Sequence, residues 1–91
     1  WYPIITQYTP HYVGLDFSKK MLEIARNKNP TGDFQYCAVT PGFTLDKKYD
    51  IIMEVQTLYV FPGGKQGFIE IFSPYCDKLL LFEPGGIERI K

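Results

Sequence analysis

The fold is decided by one stretch of the chain, Val13-Gly14-Leu15-Asp16-Phe17-Ser18-Lys19-Lys20-Met21-Leu22. Residues 11–15 are rich in residues that favour strands, and the strand they predict ends at Asp16. Ser18 can cap a helix, because the apolar residues after it are spaced as on one helical face. A strand, a short turn and a helix are therefore predicted, with an acidic side chain at the tip of the strand.

The rest of the chain continues this alternation of strands and helices. Pro3 and the apolar residues after it predict a short helix that ends before Pro10. Residues 49–55 are apolar at nearly every position, which predicts a strand buried on both faces. Two more strands are predicted at 34–39 and 78–83. A brief helix is predicted at 68–72, between the strands at 49–55 and 78–83. This order favours right-handed crossovers and an α/β fold with a mostly parallel sheet and flanking helices.

Size and composition limit the class of protein. The 91 residues are 45% hydrophobic and 22% charged, in the range of one soluble globular domain. Basic and acidic residues balance at 10 each, so there is no clear nucleic-acid signal. Cys37, Cys76 and the single His11 are not spaced as metal ligands, and no metal is predicted. Free cysteines without a signal peptide favour the cytoplasm, and the longest apolar run, 79–82, is too short for a membrane span.

Asp16 is the first candidate for ligand binding. Ligands of open parallel sheets bind beyond the carboxyl ends of the strands, and the two oxygens of an aspartate match the two hydroxyls of a ribose. Phe17 could cover one face of an adenine, and Met21, one turn into the helix, could touch the base. The alternative, of equal weight on these residues alone, is that Asp16 only caps the helix together with Ser18.

The same stretch resembles the second motif of class I S-adenosylmethionine-dependent methyltransferases, in which a strand ending in G-x-D-x-S runs into a helix beginning x-x-M-L. The likeness continues in register along the chain. Tyr49-Asp50-Ile51-Ile52 stands where the family has F-D-x-V, Leu58-Tyr59 follows the fourth strand of the family, and Glu83-Pro84-Gly85-Gly86 resembles its K-P-G-G turn. Four anchors in the expected order are much more specific than any one of them.

The resemblance implies S-adenosylmethionine as the cofactor and a set of residues around its nucleoside. Asp16 would bind the ribose hydroxyls, with Phe17 and Met21 flanking the adenine. Val39 would offer its backbone N–H to the adenine edge. Ala38 stands where many members of the family have an aspartate, so base selectivity here would depend on backbone contacts and packing.

The resemblance also implies residues at the methionine end of the cofactor. Glu54 and Val55 would line that end, and Tyr59 would face the sulfonium and the methyl acceptor as the catalytic candidate. The acceptor, a small molecule or a macromolecule, is not identified by the sequence. From the residues alone, Glu54 and Glu83 could form a paired-carboxylate site if their strands are neighbours, or each acid could lie at a solvated strand end.

One element of the family has no counterpart in these residues. The first strand and its G-x-G-x-G loop, which lets the backbone approach the methionine moiety, would fall just before Trp1. In the family that strand lies at the sheet centre, between the strands that end at Asp16 and Glu54. We therefore expect upstream residues to complete a truncated, Rossmann-like domain of which residues 1–91 are a part.

Two other functions remain open from the sequence. One is a non-catalytic domain of the same fold that serves as a scaffold or interaction module. The other is a dinucleotide-binding oxidoreductase, because an acid after the second strand also binds ribose in that class. The Glu83-Pro84-Gly85-Gly86 turn and the Tyr49-Asp50 strand start favour the methyltransferase, by resemblance.

Overall fold

The structure, a computed structural model, describes residues 2–9, 11–37 and 43–91. The chain divides into two compact units, Trp1–Val39 and Thr40–Lys91, here termed the N-terminal unit and the C-terminal unit. Each unit is an α/β arrangement with its own small sheet. The α/β class predicted from the alternation of strands and helices is thereby confirmed.

The N-terminal unit is built around one strand–helix–strand motif. Its elements are α1 (Tyr2–Ile5), β1 (Val13–Asp16), α2 (Lys19–Lys28) and β2 (Asp33–Tyr36). β1 and β2 pair in parallel, with Gly14 opposite Phe34 and Asp16 opposite Tyr36. The predicted strand, turn and helix over residues 13–22 are therefore present, and Asp16 lies at the carboxyl end of its strand.

Helix α2 begins where its sequence predicts. Ser18 Oγ accepts the Met21 N–H at 3.2 Å and so satisfies one of the free donors of the first turn. Arg26 and Lys28 lie in the last turn, where positive charge suits the helix dipole. Leu22 is the residue of this helix that is buried, so the helix is held to its unit mainly through that side chain.

The C-terminal unit has a three-stranded mixed sheet and one main helix. Its elements are β3 (Tyr49–Val55), a 3-10 turn (Leu58–Val60), α3 (Gly64–Phe72), a second 3-10 turn (Ser73–Tyr75), β4 (Cys76–Glu83) and β5 (Gly86–Arg89). β3 and β4 pair in parallel, with Glu54 opposite Leu81. β5 returns antiparallel to β4, with Gly86 opposite Glu83.

The core of the C-terminal unit includes side chains from α3 and from one face of this sheet. Phe68 and Phe72 of α3 are buried, as are Leu79 and Leu81 of β4. Burial of each such side chain stabilises a fold by roughly 1.5–3 kcal/mol. Alternate residues of a strand point to the same face, so the register places Glu54 on the inner face with Leu79 and Leu81.

The burial of residues 49–55 differs from the sequence-based expectation, and a further strand, β5, follows β4. The pattern of residues 49–55 predicts burial on both faces, but Ile51 is exposed, because the helix of this unit packs on the face that Leu79 and Leu81 share. β5 is a defined strand because Gly86, at φ 130°, closes a tight turn after β4 that other residues adopt poorly. Two of the strand pairs are parallel and one is antiparallel, and the described strands form two sheets.

Candidate functional site

One carboxylate oxygen of Asp16 accepts no hydrogen bond from the described residues. Its Oδ1 accepts the backbone N–H of Ser18 at 2.9 Å, which orients the carboxylate across the turn before α2. In the described part of the chain, Oδ2 accepts no hydrogen bond. The helix cap is Ser18 itself, and Asp16 contributes to it by bracing the turn. Both interpretations of Asp16 are therefore compatible with its geometry, since bracing uses only one of its two oxygens.

Two exposed apolar side chains follow Asp16. Phe17 and Met21 are each 53% exposed. The Met21 N–H is bound to Ser18 Oγ, so one short hydrogen-bonded turn carries the acid and both apolar groups. A nucleoside presents the same pairing of a polar sugar with an apolar base. Ala38 and Val39, the remaining nucleoside candidates, lie outside the described residues.

Glu54 is the one charged or polar residue in the buried set of the described chain, at 3% exposure. Its Oε2 accepts the Thr57 N–H at 2.5 Å and the Thr57 hydroxyl at 3.1 Å. Its Oε1 is buried and meets no donor among the described residues. A buried acceptor without a donor costs about 1–3 kcal/mol, more when it is charged, so this oxygen needs a partner.

Glu83 supplies the second carboxyl of this site. Glu54 lies opposite Leu81 in the register, and Glu83 is two residues further along β4 on the same face. Desolvation raises the pKa of Glu83, and both the negative charge of Glu54 and a hydrogen bond between the two carboxyls raise it further. A hydrogen bond between two carboxyls needs a proton on one of them. When Glu83 is protonated, its O–H can therefore supply the donor that Glu54 Oε1 lacks.

The two acids also hold the turn that carries Tyr59. Thr57 N–H donates to Glu54, and the backbone N–H of Leu58 donates to Glu83, which partly offsets the rise in its pKa. Tyr59 follows in the 3-10 turn and is 86% exposed. Its ring therefore makes few apolar contacts with the described residues. Val55, predicted beside Glu54, ends β3 and is half-buried.

Backbone strain helps to form this arrangement. Gln56 has φ 51°, in the left-handed region that non-glycine residues rarely adopt. The chain thereby turns sharply after β3, and the Thr57 N–H points back to the Glu54 carboxylate. From the sequence, the Glu54–Glu83 pair depends on adjacency of the two strands, and the β3–β4 register confirms that adjacency. Thr57 was not predicted, since its only sequence signal is a hydroxyl residue three positions after an acid.

The two cysteines are poor nucleophiles. Burial raises the pKa of both the Cys37 and the Cys76 thiol, which keeps each in its neutral form. Among residues 2–9, 11–37 and 43–91, no group of three or more His, Cys, Asp or Glu side chains could hold a metal ion. Within the same residues, no helix is both long and apolar enough to cross a membrane.

The chain was compared with protein-family models, with curated proteins and with solved structures, and none of the three comparisons gave a match. Asp16, Phe17 and Met21 form one group in the N-terminal unit. Glu54, Val55 and Tyr59, with Glu83, form a second group in the C-terminal unit.

Proposed function

We propose that this chain is part of a Rossmann-like enzyme that transfers a methyl group from S-adenosylmethionine to an acceptor. One observation carries the proposal: at the end of its strand, Asp16 has a carboxylate oxygen that accepts no hydrogen bond from the described residues, and two exposed apolar side chains, Phe17 and Met21, follow it. An aspartate with a free oxygen suits a ribose diol, and the apolar pair suits an adenine. The resemblance of the surrounding motifs supports the same cofactor.

Little acid–base chemistry is needed for this reaction. When bound, S-adenosylmethionine supplies a methyl group already activated by its positive sulfonium. The protein then contributes mainly orientation and desolvation. In this proposal Asp16 orients the ribose, and Glu54 with Val55 lines the methionine end. The negative charge of the Glu54 carboxylate favours a cationic group, and Tyr59 is the side chain nearest the acceptor.

The test measures binding of S-adenosylhomocysteine, the product form of the cofactor. It is carried out by calorimetry on the 91-residue chain and on a version extended upstream along its own reading frame. Asp16→Asn keeps an Oδ1 acceptor for the Ser18 N–H but removes the charge and one acceptor oxygen. We expect this variant to bind about tenfold to a hundredfold more weakly, as for the loss of a charged hydrogen bond.

Asp33→Asn is the matched control, because Asp33 is an exposed acid on the neighbouring strand of the same unit. It should bind like the unchanged chain. Undiminished affinity of Asp16→Asn would refute the ribose role of Asp16. A ligand that binds only the folded chain also raises its thermal midpoint, which gives an independent readout.

A non-catalytic interaction domain is the second candidate function. The N-terminal unit favours it, because among its described residues Leu22 is the one buried large apolar side chain while Leu15, Ile24 and Tyr36 are exposed and could be covered by a partner. The two functions differ in the same experiment. Failure of both the chain and its extended version to bind S-adenosylhomocysteine would favour the interaction domain.

A further inference from the structure

The Glu54 carboxylate has a buried oxygen that requires a hydrogen-bond donor. Oε2 is fully used by the N–H and hydroxyl of Thr57, so the carboxylate cannot turn to expose its other oxygen without breaking both bonds. Oε1 is left without a donor from the described residues. Glu83, its neighbour on the inner face of β4, is itself an acid and offers a donor only while it is protonated.

No basic side chain of the described residues neutralises this pair. Lys65 of α3 is bound to Glu88 of β5 at 2.7 Å, and Lys48 is bound to Asp77 at the other end of β4. The remaining charged groups of the inner face and of the helix packed on it are exposed acids, Asp50 and Glu70. The pair therefore carries negative charge that no cation of the described chain offsets.

The pair is open to solvent on the side of Glu83. Glu83 is half-buried and borders an open depression that Gly85, Gly86 and Ile87 line with it. A small group can reach Glu83 from this depression, which Glu54 itself does not line. A Cβ at Gly85 or Gly86 would meet nothing within 4 Å, so the space around this turn is open.

We propose that Glu54 and Glu83 form a site for a primary ammonium group, which takes the place of the proton that the two carboxyls otherwise share. An ammonium has three N–H donors, so it can bind Glu54 Oε1 and Glu83 together. A divalent metal is a poorer fit, because it requires more oxygen ligands than two carboxyls provide. The proposal is argued from the pair alone and does not depend on binding of S-adenosylmethionine.

Binding is linked to proton release. At pH values below the raised pKa of Glu83, its carboxyl is neutral and its O–H can donate to Glu54. When the ammonium binds, the Glu83 O–H bond breaks, its proton passes to the buffer, and two carboxylates face one cation. The raised pKa of Glu83 is consistent with this exchange, because the proton is held until a cation replaces it. Affinity for the ammonium should therefore increase as pH rises.

The test is an NMR titration of the Glu83 side-chain carboxyl carbon in the 91-residue chain. Three salts are compared at equal ionic strength: methylammonium chloride, tetramethylammonium chloride and sodium chloride. Tetramethylammonium has the same charge as methylammonium but no N–H donor. We expect the titration midpoint of Glu83 to move to lower pH, saturably, in methylammonium alone. Identical midpoints in all three salts would overturn the proposal without the need for any variant.

Two matched variants sharpen the result. In Glu83→Gln the amide N–H replaces the proton as a donor to Glu54, so we expect methylammonium binding to weaken about tenfold or more. Glu70→Gln removes an exposed acid of α3 that does not line this depression and should bind methylammonium like the unchanged chain. Equal affinities of the two variants would also reject the site.

Discussion

The two units of this chain share an α/β plan but differ in how well each is packed. Of the described large apolar side chains that are buried, the C-terminal unit has Phe68, Phe72, Leu79 and Leu81, while the N-terminal unit has Leu22. Exposed large apolar residues show the opposite distribution. Those of the N-terminal unit are Ile4, Tyr8, Leu15, Phe17, Met21, Ile24 and Tyr36, and those of the C-terminal unit are Ile51, Tyr59 and Ile87.

This difference separates the stable part of the molecule from its candidate nucleoside-binding part. Apolar burial is the main favourable term in folding, so the C-terminal unit should hold most of the stability of the chain. The carboxyl pair of Glu54 and Glu83 therefore lies on the sheet of the better-packed unit. Asp16, Phe17 and Met21 lie in a unit with little core of its own, where bound ligand would add a larger share of the stability.

The largest expected effect comes from Leu81→Ala, compared with Leu15→Ala. Both leucines lie within strands, but Leu81 is 2% exposed and Leu15 is 41% exposed. Leu81→Ala should lower the free energy of unfolding by about 2–5 kcal/mol, since it leaves a cavity in the core. Leu15→Ala should lower it by about 1 kcal/mol or less. Urea unfolding of the two variants measures both values, and equal losses would break the contrast between the units.

The next effect is that of Gly67→Ala in α3. A Cβ at Gly67 would lie 2.1 Å from the Pro62 carbonyl oxygen, a backbone atom that cannot move without shifting the start of the helix. We expect a loss of about 1–3 kcal/mol, despite the better helix propensity of alanine. Gly85→Ala is the control, because a Cβ there meets nothing within 4 Å. A Gly67→Ala chain as stable as Gly85→Ala would contradict tight packing at this helix start.

The same substitution tests the N-terminal unit at Gly14. A Cβ there would lie 2.7 Å from the edge of the Phe34 ring. That contact is with a side chain in a lightly packed unit, so the ring can move aside. Gly14→Ala should therefore destabilise the chain less than Gly67→Ala in the same urea experiment. A larger loss at Gly14 would show that the N-terminal unit is the more tightly packed one.

Local features of both units were predictable from the sequence. Ser18 as a helix cap, the strand that ends at Asp16 and the strand over residues 49–55 depend on neighbours in the chain. The position of Glu83 beside Glu54 depends on the register of β3 and β4, which the sequence does not encode locally. The role of Thr57 depends on the left-handed backbone conformation of Gln56. Glutamine is not a residue type that predicts this conformation.

The exposure of Ile51 shows a second limit of sequence reasoning. An apolar run predicts burial, but burial is complete only where another element covers that face. Within the described residues, one edge of β1 and one edge of β3 pair with no strand. The sequence pattern does not indicate what would cover these edges.

A smaller effect is expected from Ser18→Ala in the N-terminal unit. The change removes the hydroxyl that accepts the Met21 N–H, and loss of such a cap costs about 1 kcal/mol. Because α2 is held mainly through Leu22, the loss should appear as faster amide exchange in α2 and not in α3. Hydrogen exchange measured residue by residue checks this. Equal acceleration in α3 would mean that the two units unfold together.

The smallest expected effect is a change of stability with pH in the C-terminal unit. The folded-state pKa of Glu83 is raised above its ordinary value of 4.5 by desolvation and by Glu54. A raised pKa means that the folded chain holds its proton more tightly than the unfolded chain. Glu83 therefore contributes stability that is complete below pH 4.5 and is lost as pH rises through the folded pKa. Most carboxylates in salt bridges show the opposite sign.

Glu83→Gln isolates this contribution, because the amide donates to Glu54 at every pH. Urea unfolding is measured from about pH 4 to about pH 8, and the stability of the unchanged chain minus that of Glu83→Gln should decrease as pH rises. Glu88→Gln, which alters an exposed acid paired with Lys65, should show no such decrease. A difference that grows with pH would mean that Glu83 is ionised in the fold and that the two carboxyls do not share a proton.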